Sequence, residues 1–235
     1  MSLFQKQQSK AHEFRFLILL LSLFAAILIP PYFTDMAIVS YVWRVIFSAV
    51  LVFALLSVAG SGKNIIFIGL LLVPTFITTW LSEYTEQALY IYLDNLTTII
   101  YLVVVAWFFV RFIFSARLVT LNVIYASMCL YLILALIWAA IYANLHIYYG
   151  DAFHFGVPRL EAMANHRDSH MGIFTYFSFV TLSTLGYGDI SPVNRVAQAW
   201  VSVEAMIGQF YIAIAMARLV SMYTAHERRG FTEDE

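Results

Sequence analysis

The residues best placed to do chemistry lie in one stretch, TLSTLGYGDISP, which runs from Thr181 to Pro192 between two long apolar segments. Gly186, Gly188 and Asp189 stand there inside a chain that is 62% hydrophobic. Irregular backbone at membrane depth exposes N–H and C=O groups that lipid cannot satisfy, at several kcal/mol each. Such a loop persists only where protein shields it or where it lines a water-filled path. The chemistry on offer is therefore that of backbone polar groups facing one or the other.

The elements that must hold this loop follow from composition. Only 11% of the 235 residues are charged and the mean hydropathy is +0.82, whereas a soluble domain needs about 25% charge to cover its surface. The chain reads as an all-α integral membrane protein. A net charge of −1 carries no basic bias toward nucleic acid. The single cysteine, Cys129, lies in an apolar run, which excludes an intrachain disulfide and fits packing. The opening MSLFQKQQSKAHEFR leads into an apolar run without a small-residue cleavage site, so it reads as a short cytoplasmic tail before an uncleaved span.

A helix needs about 20 apolar residues to cross the hydrocarbon. Six runs qualify: Phe14 to Phe33, Val39 to Ala59, Asn64 to Leu81 with Pro74 as an expected kink, Leu89 to Phe114, Leu118 to Leu145, and Val196 to Tyr223. His170 to Leu182 is apolar but too short to cross, which suits a re-entrant helix. Lys6, Lys10, Arg15, Lys63, Arg111, Arg117, Arg218, Arg228 and Arg229 fall on one face by alternation. Asp35, Glu83, Glu86, Asp151, Glu161 and Asp168 fall on the other, with Arg159, Arg167 and Arg195. Positive charge marks the cytoplasmic side, so both termini are expected inside a multi-pass cell-membrane protein. Trp43, Trp80, Tyr84, Tyr148 and Tyr149 fit either interfacial anchoring or packing.

Against that frame the loop resembles the selectivity filter of potassium channels, whose core is T-V-G-Y-G; here Thr184-Leu185-Gly186-Tyr187-Gly188-Asp189 stands. The resemblance covers about Leu118 to Tyr223. It implies a homotetramer, because one loop per chain is too few and four strands close the ring. It implies that K+ is held by the carbonyls of Thr184, Leu185, Gly186 and Tyr187 and by the Thr184 hydroxyl, with Gly188 completing the motif. Alternate residues must then reach left-handed dihedrals, which glycine accepts. Thr181, Asp189, Tyr176 and Glu204 would support the filter, and no organic cofactor is implied. The C-terminal end of the short helix would favour a cation at the axis. Gly208 occupies the place of a bending glycine in the inner helix, and would serve as hinge or as packing contact. Ala213, Ala215 and Ala217 would keep the inner end narrow. The implied organisation is a tail (1–13), a four-helix domain (14–117), a pore domain (118–223) and a second tail (224–235).

The sequence also departs from the family pattern. Leu185 replaces the commoner valine, Tyr176 and Phe177 replace paired tryptophans so that only Tyr176 offers Asp189 a donor, and Val180 replaces a glutamate. The fourth span holds no arginine before Arg111, and Arg111 and Arg117 read as positive-inside anchors, so steep voltage gating is not expected. Arg44 and Asp94 either pair within the spans or snorkel separately. Glu204 either raises cation concentration in a cavity or hydrogen-bonds behind the filter to the short helix, and the second arrangement is favoured. His146, His154, His166 and His170 are assigned to the outer loop, where the i,i+4 pair His166 and His170 reads as a metal or proton sensor or as a solvated turret.

The resulting reading is a tetrameric, potassium-selective channel embedded in membrane lipids. A weakly selective cation channel and a non-conducting regulatory subunit are the alternatives. A membrane enzyme would need a nucleophile and base, or metal ligands, at converging depths, and the spans supply no such set.

Overall fold

Apolar length sets the architecture. The computed structural model describes residues 3–33, 36–58, 62–84, 87–116, 120–150, 152–158 and 170–233, with no side-chain description for 3–13, 36–37, 62–64, 83–84, 88, 170 and 219–233. Six long helices carry the spans: α1 (Leu3–Leu28), α2 (Met36–Val58), α3 (Gly62–Tyr84), α4 (Ala88–Ser115), α5 (Leu121–Tyr149) and α7 (Arg195–Glu233). The short helix α6 (His170–Leu182) lies between the last two. A multi-pass membrane protein follows from six helices this long and this apolar.

Local chemistry sets the ends. A 3₁₀ turn at Pro30–Tyr32 follows α1, where prolines have no N–H to continue the helical ladder. Pro74 sits inside α3 without ending it, and the Thr75 and Thr78 hydroxyls bond back to the carbonyls of Leu71 and Pro74 at 2.9 and 3.0 Å. The first turn of α5 is capped by Thr120, whose side chain accepts from the Val123 N–H at 3.4 Å. At its other end the Gly150 N–H donates to the His146 carbonyl at 2.8 Å. His146 therefore belongs to the last turn of α5, against the rings of Phe155 and Phe174, and not to the outer loop.

The core runs along α5, of whose apolar window 61% is buried. One cluster joins it to α1, α2 and α4 through Phe16, Leu19, Leu51, Tyr101, Val105 and Phe109. A second joins it to α6 through Trp138, Tyr142, Phe174, Phe177 and Leu182. Ala126, Ala135, Ala139, Ala140 and Ala143 on α5 are buried, and small side chains let neighbouring backbones approach. The buried Cys129 thiol donates to the Phe16 carbonyl at 3.4 Å. Trp80 of α3 donates to Ser48 of α2 at 3.3 Å and so packs between helices, Trp43 stacks on Phe47 one turn further along α2, and Tyr148 and Tyr149 are exposed.

Two short strands, absent from the sequence-based expectation, are added to the helices. β1 (Phe153–Phe155) pairs antiparallel with β2 (Ile190–Pro192) in the register Phe153↔Pro192, His154↔Ser191 and Phe155↔Ile190. Phe153, Phe155 and Ile190 are buried, while His154 is exposed. Of the residues that mark the two faces by charge, the side chains of Lys6, Lys10, Asp35, Lys63, Glu83, Glu86, Arg117, Asp151, Arg159, Glu161, Arg167, Asp168, Arg228 and Arg229 lie outside those described. So do those of Tyr84, His166 and His170.

Candidate functional site

The site is built where α6 runs out of helix. Ile173, Phe174 and Phe177 bury one face of α6, with Thr175 and Ser178 also buried. A 13-residue helix cannot cross, so its last carbonyls need partners. The following loop supplies them: Phe179 accepts from the Ser183 N–H at 3.0 Å, Thr181 from Thr184 at 2.9 Å, and Val180 from Leu185 at 2.9 Å and Gly186 at 3.3 Å. The loop is thereby folded back on the end of α6.

Beyond that turn the backbone alternates. Thr184, Gly186 and Gly188 have φ of 60°, 56° and 78°, and the residues between them do not. Glycine enters the left-handed region freely, but a side chain there costs about 1–2 kcal/mol. Thr184 thus holds a strained conformation of the kind that persists where surrounding structure imposes it. Every second residue in a left-handed conformation is the condition for successive carbonyls to share one side of a strand. Residues 183–188 are all exposed, with Leu185 at 54% and Tyr187 at 65%, so beyond its backbone bonds to the end of α6 the loop is little covered by its own chain.

Its exit is anchored. The Asp189 carboxylate accepts from the Tyr176 hydroxyl at 2.6 Å and from the Ile190 N–H at 3.1 Å. Its carbonyl accepts from the Gly156 N–H at 2.7 Å, and β2 begins at the next residue. Gly156 was missed in the sequence, as were the strands it extends. No local pattern longer than three residues marks them.

Glu204 of α7 is fully buried. Its Oε1 accepts from the Ser178 hydroxyl of α6 and its Oε2 from the Tyr142 hydroxyl of α5, each at 2.5 Å. A carboxyl group with no access to water requires such donors, and here they join three helices behind the loop. Ser178 and Tyr142 were also missed. The available signal was that a tyrosine in an apolar span must place its hydroxyl on a partner.

Gly208, one turn further along α7, is buried too. A Cβ at this position would collide with the Leu182 carbonyl, reaching its carbon at 3.0 Å. α7 is helical through this position, and its close approach to the Leu182 carbonyl of α6 is itself a reason for a residue without a side chain. Thr181 is half-buried at the end of α6. Ala213 and Ala217 are exposed and Ala215 is half-buried on the same helix.

Arg44 and Asp94 lie apart from this cluster. Arg44 donates to the Thr79 carbonyl at 2.7 Å, to Ser82 at 3.2 Å and to Ser40 at 3.3 Å. Asp94 accepts from the Thr79 hydroxyl at 2.7 Å and from Thr78 at 3.4 Å. The two charges therefore meet on Thr79 of α3, a partner that sequence reasoning did not include. They line a cleft of about 70 Å³ with Asn95, whose amide donates to Asn144 of α5 at 2.8 Å. At the other end of α7, Arg218 donates to the Ile113 and Ala116 carbonyls at 2.6 and 3.1 Å and so caps the end of α4.

No curated protein and no solved structure matches the chain. The model of the ion channel family matches residues 96–225, from α4 through α5, α6 and the exposed loop into α7. More than half of the chain is matched, and the match contains both helices that frame the loop, so the protein belongs to the ion channel family.

Proposed function

We propose that the protein is a potassium-selective channel in which four copies of the strand Thr184–Gly188 surround one axis. Passive ion conduction is the activity of its family, and the alternation of left-handed residues at 184, 186 and 188 is the observation that carries the reading to potassium. Carbonyls of Thr184, Leu185, Gly186 and Tyr187, with the Thr184 hydroxyl, take the place of the hydration shell as the ion enters. K+ is cargo, and no organic cofactor takes part. The exposed Tyr187 ring turns away from the axis and braces the strand against its neighbour. Glu204, Thr181, Tyr176 and Asp189 hold the strand from behind and above.

The positive ends of the spans face the cytoplasm, which places both termini inside and brings α6 in from the outer face. The pore unit comprises 118–223 and the four-helix unit 14–117, flanked by the tails 1–13 and 224–235. A weaker selectivity is favoured by one observation: Tyr176 is the side-chain donor to Asp189, and it is itself 37% exposed.

Purified protein in proteoliposomes tests the reading. With potassium and sodium on opposite sides, the reversal potential is expected near the potassium equilibrium potential. A reversal near zero replaces potassium selectivity with general cation passage. Flux that ignores a Gly186→Ala change would remove the loop from the conduction path.

A further inference from the structure

We infer that a cleft at the cytoplasmic ends of α1, α2 and α4 binds the phosphate of an anionic phospholipid. The cleft holds about 470 Å³ and is lined by Arg15, Arg111, Ser57, Ser115 and the rings of Phe16 and Phe112, among others. That volume falls in the roughly 300–1,000 Å³ range of ligand clefts. Among the described residues no carboxylate lines it, so two arginines share the lining without a counter-charge there. Arg15 lies over the Phe16 ring at 4.7 Å and the Phe112 ring at 5.6 Å. Its Nε–H is buried and has no hydrogen-bond partner among the described residues.

The chemistry of the lining has two parts. Arginine offers a planar fork of donors that matches phosphate oxygens. Both arginines sit near the ends of apolar windows, Arg15 in Phe14–Tyr32 and Arg111 in Leu89–Ser115, which is headgroup depth. The phenylalanines provide the apolar wall that an acyl chain covers. A headgroup bearing its own ammonium would add a third cation, so an anionic lipid is preferred over a zwitterionic one. The site also touches the pore helices indirectly. The last turn of α4, which contributes Arg111 and Ser115 to the cleft, gives the carbonyls of Ile113 and Ala116 to Arg218 of α7.

The site rests on the cleft and not on potassium selectivity, so binding is measured apart from flux. Full-length protein in neutral detergent is titrated with phosphatidylglycerol, or with phosphatidylcholine of the same acyl chains, and bound lipid is counted by native mass spectrometry. Phosphatidylglycerol is expected to bind more tightly, with R15Q and R111Q each weakening it about fivefold, the worth of one surface arginine. R195Q, on an exposed arginine at the opposite end of α7, leaves it unchanged. If R15Q fails to assemble, the exposed Arg111 still decides the matter. Equal affinity for the two lipids, or an R111Q protein that binds phosphatidylglycerol as wild type does, overturns the inference. Displacement of the lipid by an equal concentration of inorganic phosphate assigns the cleft to a soluble anion and overturns it as well.

Discussion

Glu204 shows how a buried polar residue is judged by its partners. Alanine there would leave the Ser178 and Tyr142 hydroxyls without an acceptor, at about 1–3 kcal/mol each. Glutamine keeps an oxygen and an amide at the two positions, so hydrogen bonds to both hydroxyls survive. The thermal midpoint of the purified protein is therefore expected to fall much further for Glu204→Ala than for Glu204→Gln. Equal midpoints would deny the carboxyl its joining role. Gly208 permits a sharper choice, because two magnitudes oppose each other. Alanine in a helix is better than glycine by about 1 kcal/mol, while forcing a methyl into a packed contact costs about 1–3 kcal/mol. The collision with Leu182 makes packing the stronger term, so Gly208→Ala is expected to lower the midpoint. A stabilised variant with altered opening would identify a hinge instead.

At the scale of the element, α6 and its loop act together, one ending where the other takes up its carbonyls. Gly188 has φ of 78°, and an alanine there costs about 1–2 kcal/mol per chain, directed at the geometry of the strand and away from the packed core. Gly188→Ala is thus expected to abolish potassium flux while leaving the amount of assembled protein unchanged; undiminished flux would deny the alternation its importance. α4 carries one arginine, Arg111, near its end, whereas moving a charge across the field is worth about 2.3 kcal/mol per 100 mV. Steady-state conductance is accordingly expected to vary little between −100 and +100 mV (roughly the range such a field spans), and a steep curve would call for a sensor elsewhere. The elements themselves were legible because apolar length is a strong constraint in lipid: six spans, and a 13-residue helix with the same limits, His170 to Leu182. The fifth span ends later than its apolar run, since Gly150 caps it after His146 has joined the helix. Pairings were not legible. Tyr142 and Glu204 are 62 residues apart, and Thr79 bonds both Arg44 and Asp94 because α3 packs beside both of their helices. The β1–β2 pair owes its register to the helices that bring its strands together, because three residues carry too little pattern to select one.

At the scale of the whole molecule, exposure has to be weighed against the solvent. Only 11% of the apolar window of α7 is buried, against 61% for α5, and Trp200, Met206 and Phe210 are exposed on it. Lipid covers such side chains without penalty, so their exposure alone requires no partner. The exposed loop is different, since its peptide groups would face hydrocarbon in a lone chain. Copies arranged around an axis remove that cost by enclosing water and ions, and a closed ring is the usual symmetry. The number of copies then becomes measurable through a defective subunit. If Gly188→Ala chains assemble with wild type at random and one defective strand spoils the ring, an equal mixture leaves about one sixteenth of wild-type flux for four subunits, and about one quarter for two. Flux from proteoliposomes made with graded mixtures gives the exponent directly. A fourth-power decline is expected; a linear one would mean that each chain conducts alone, and the loop would have to find its shelter within a single copy.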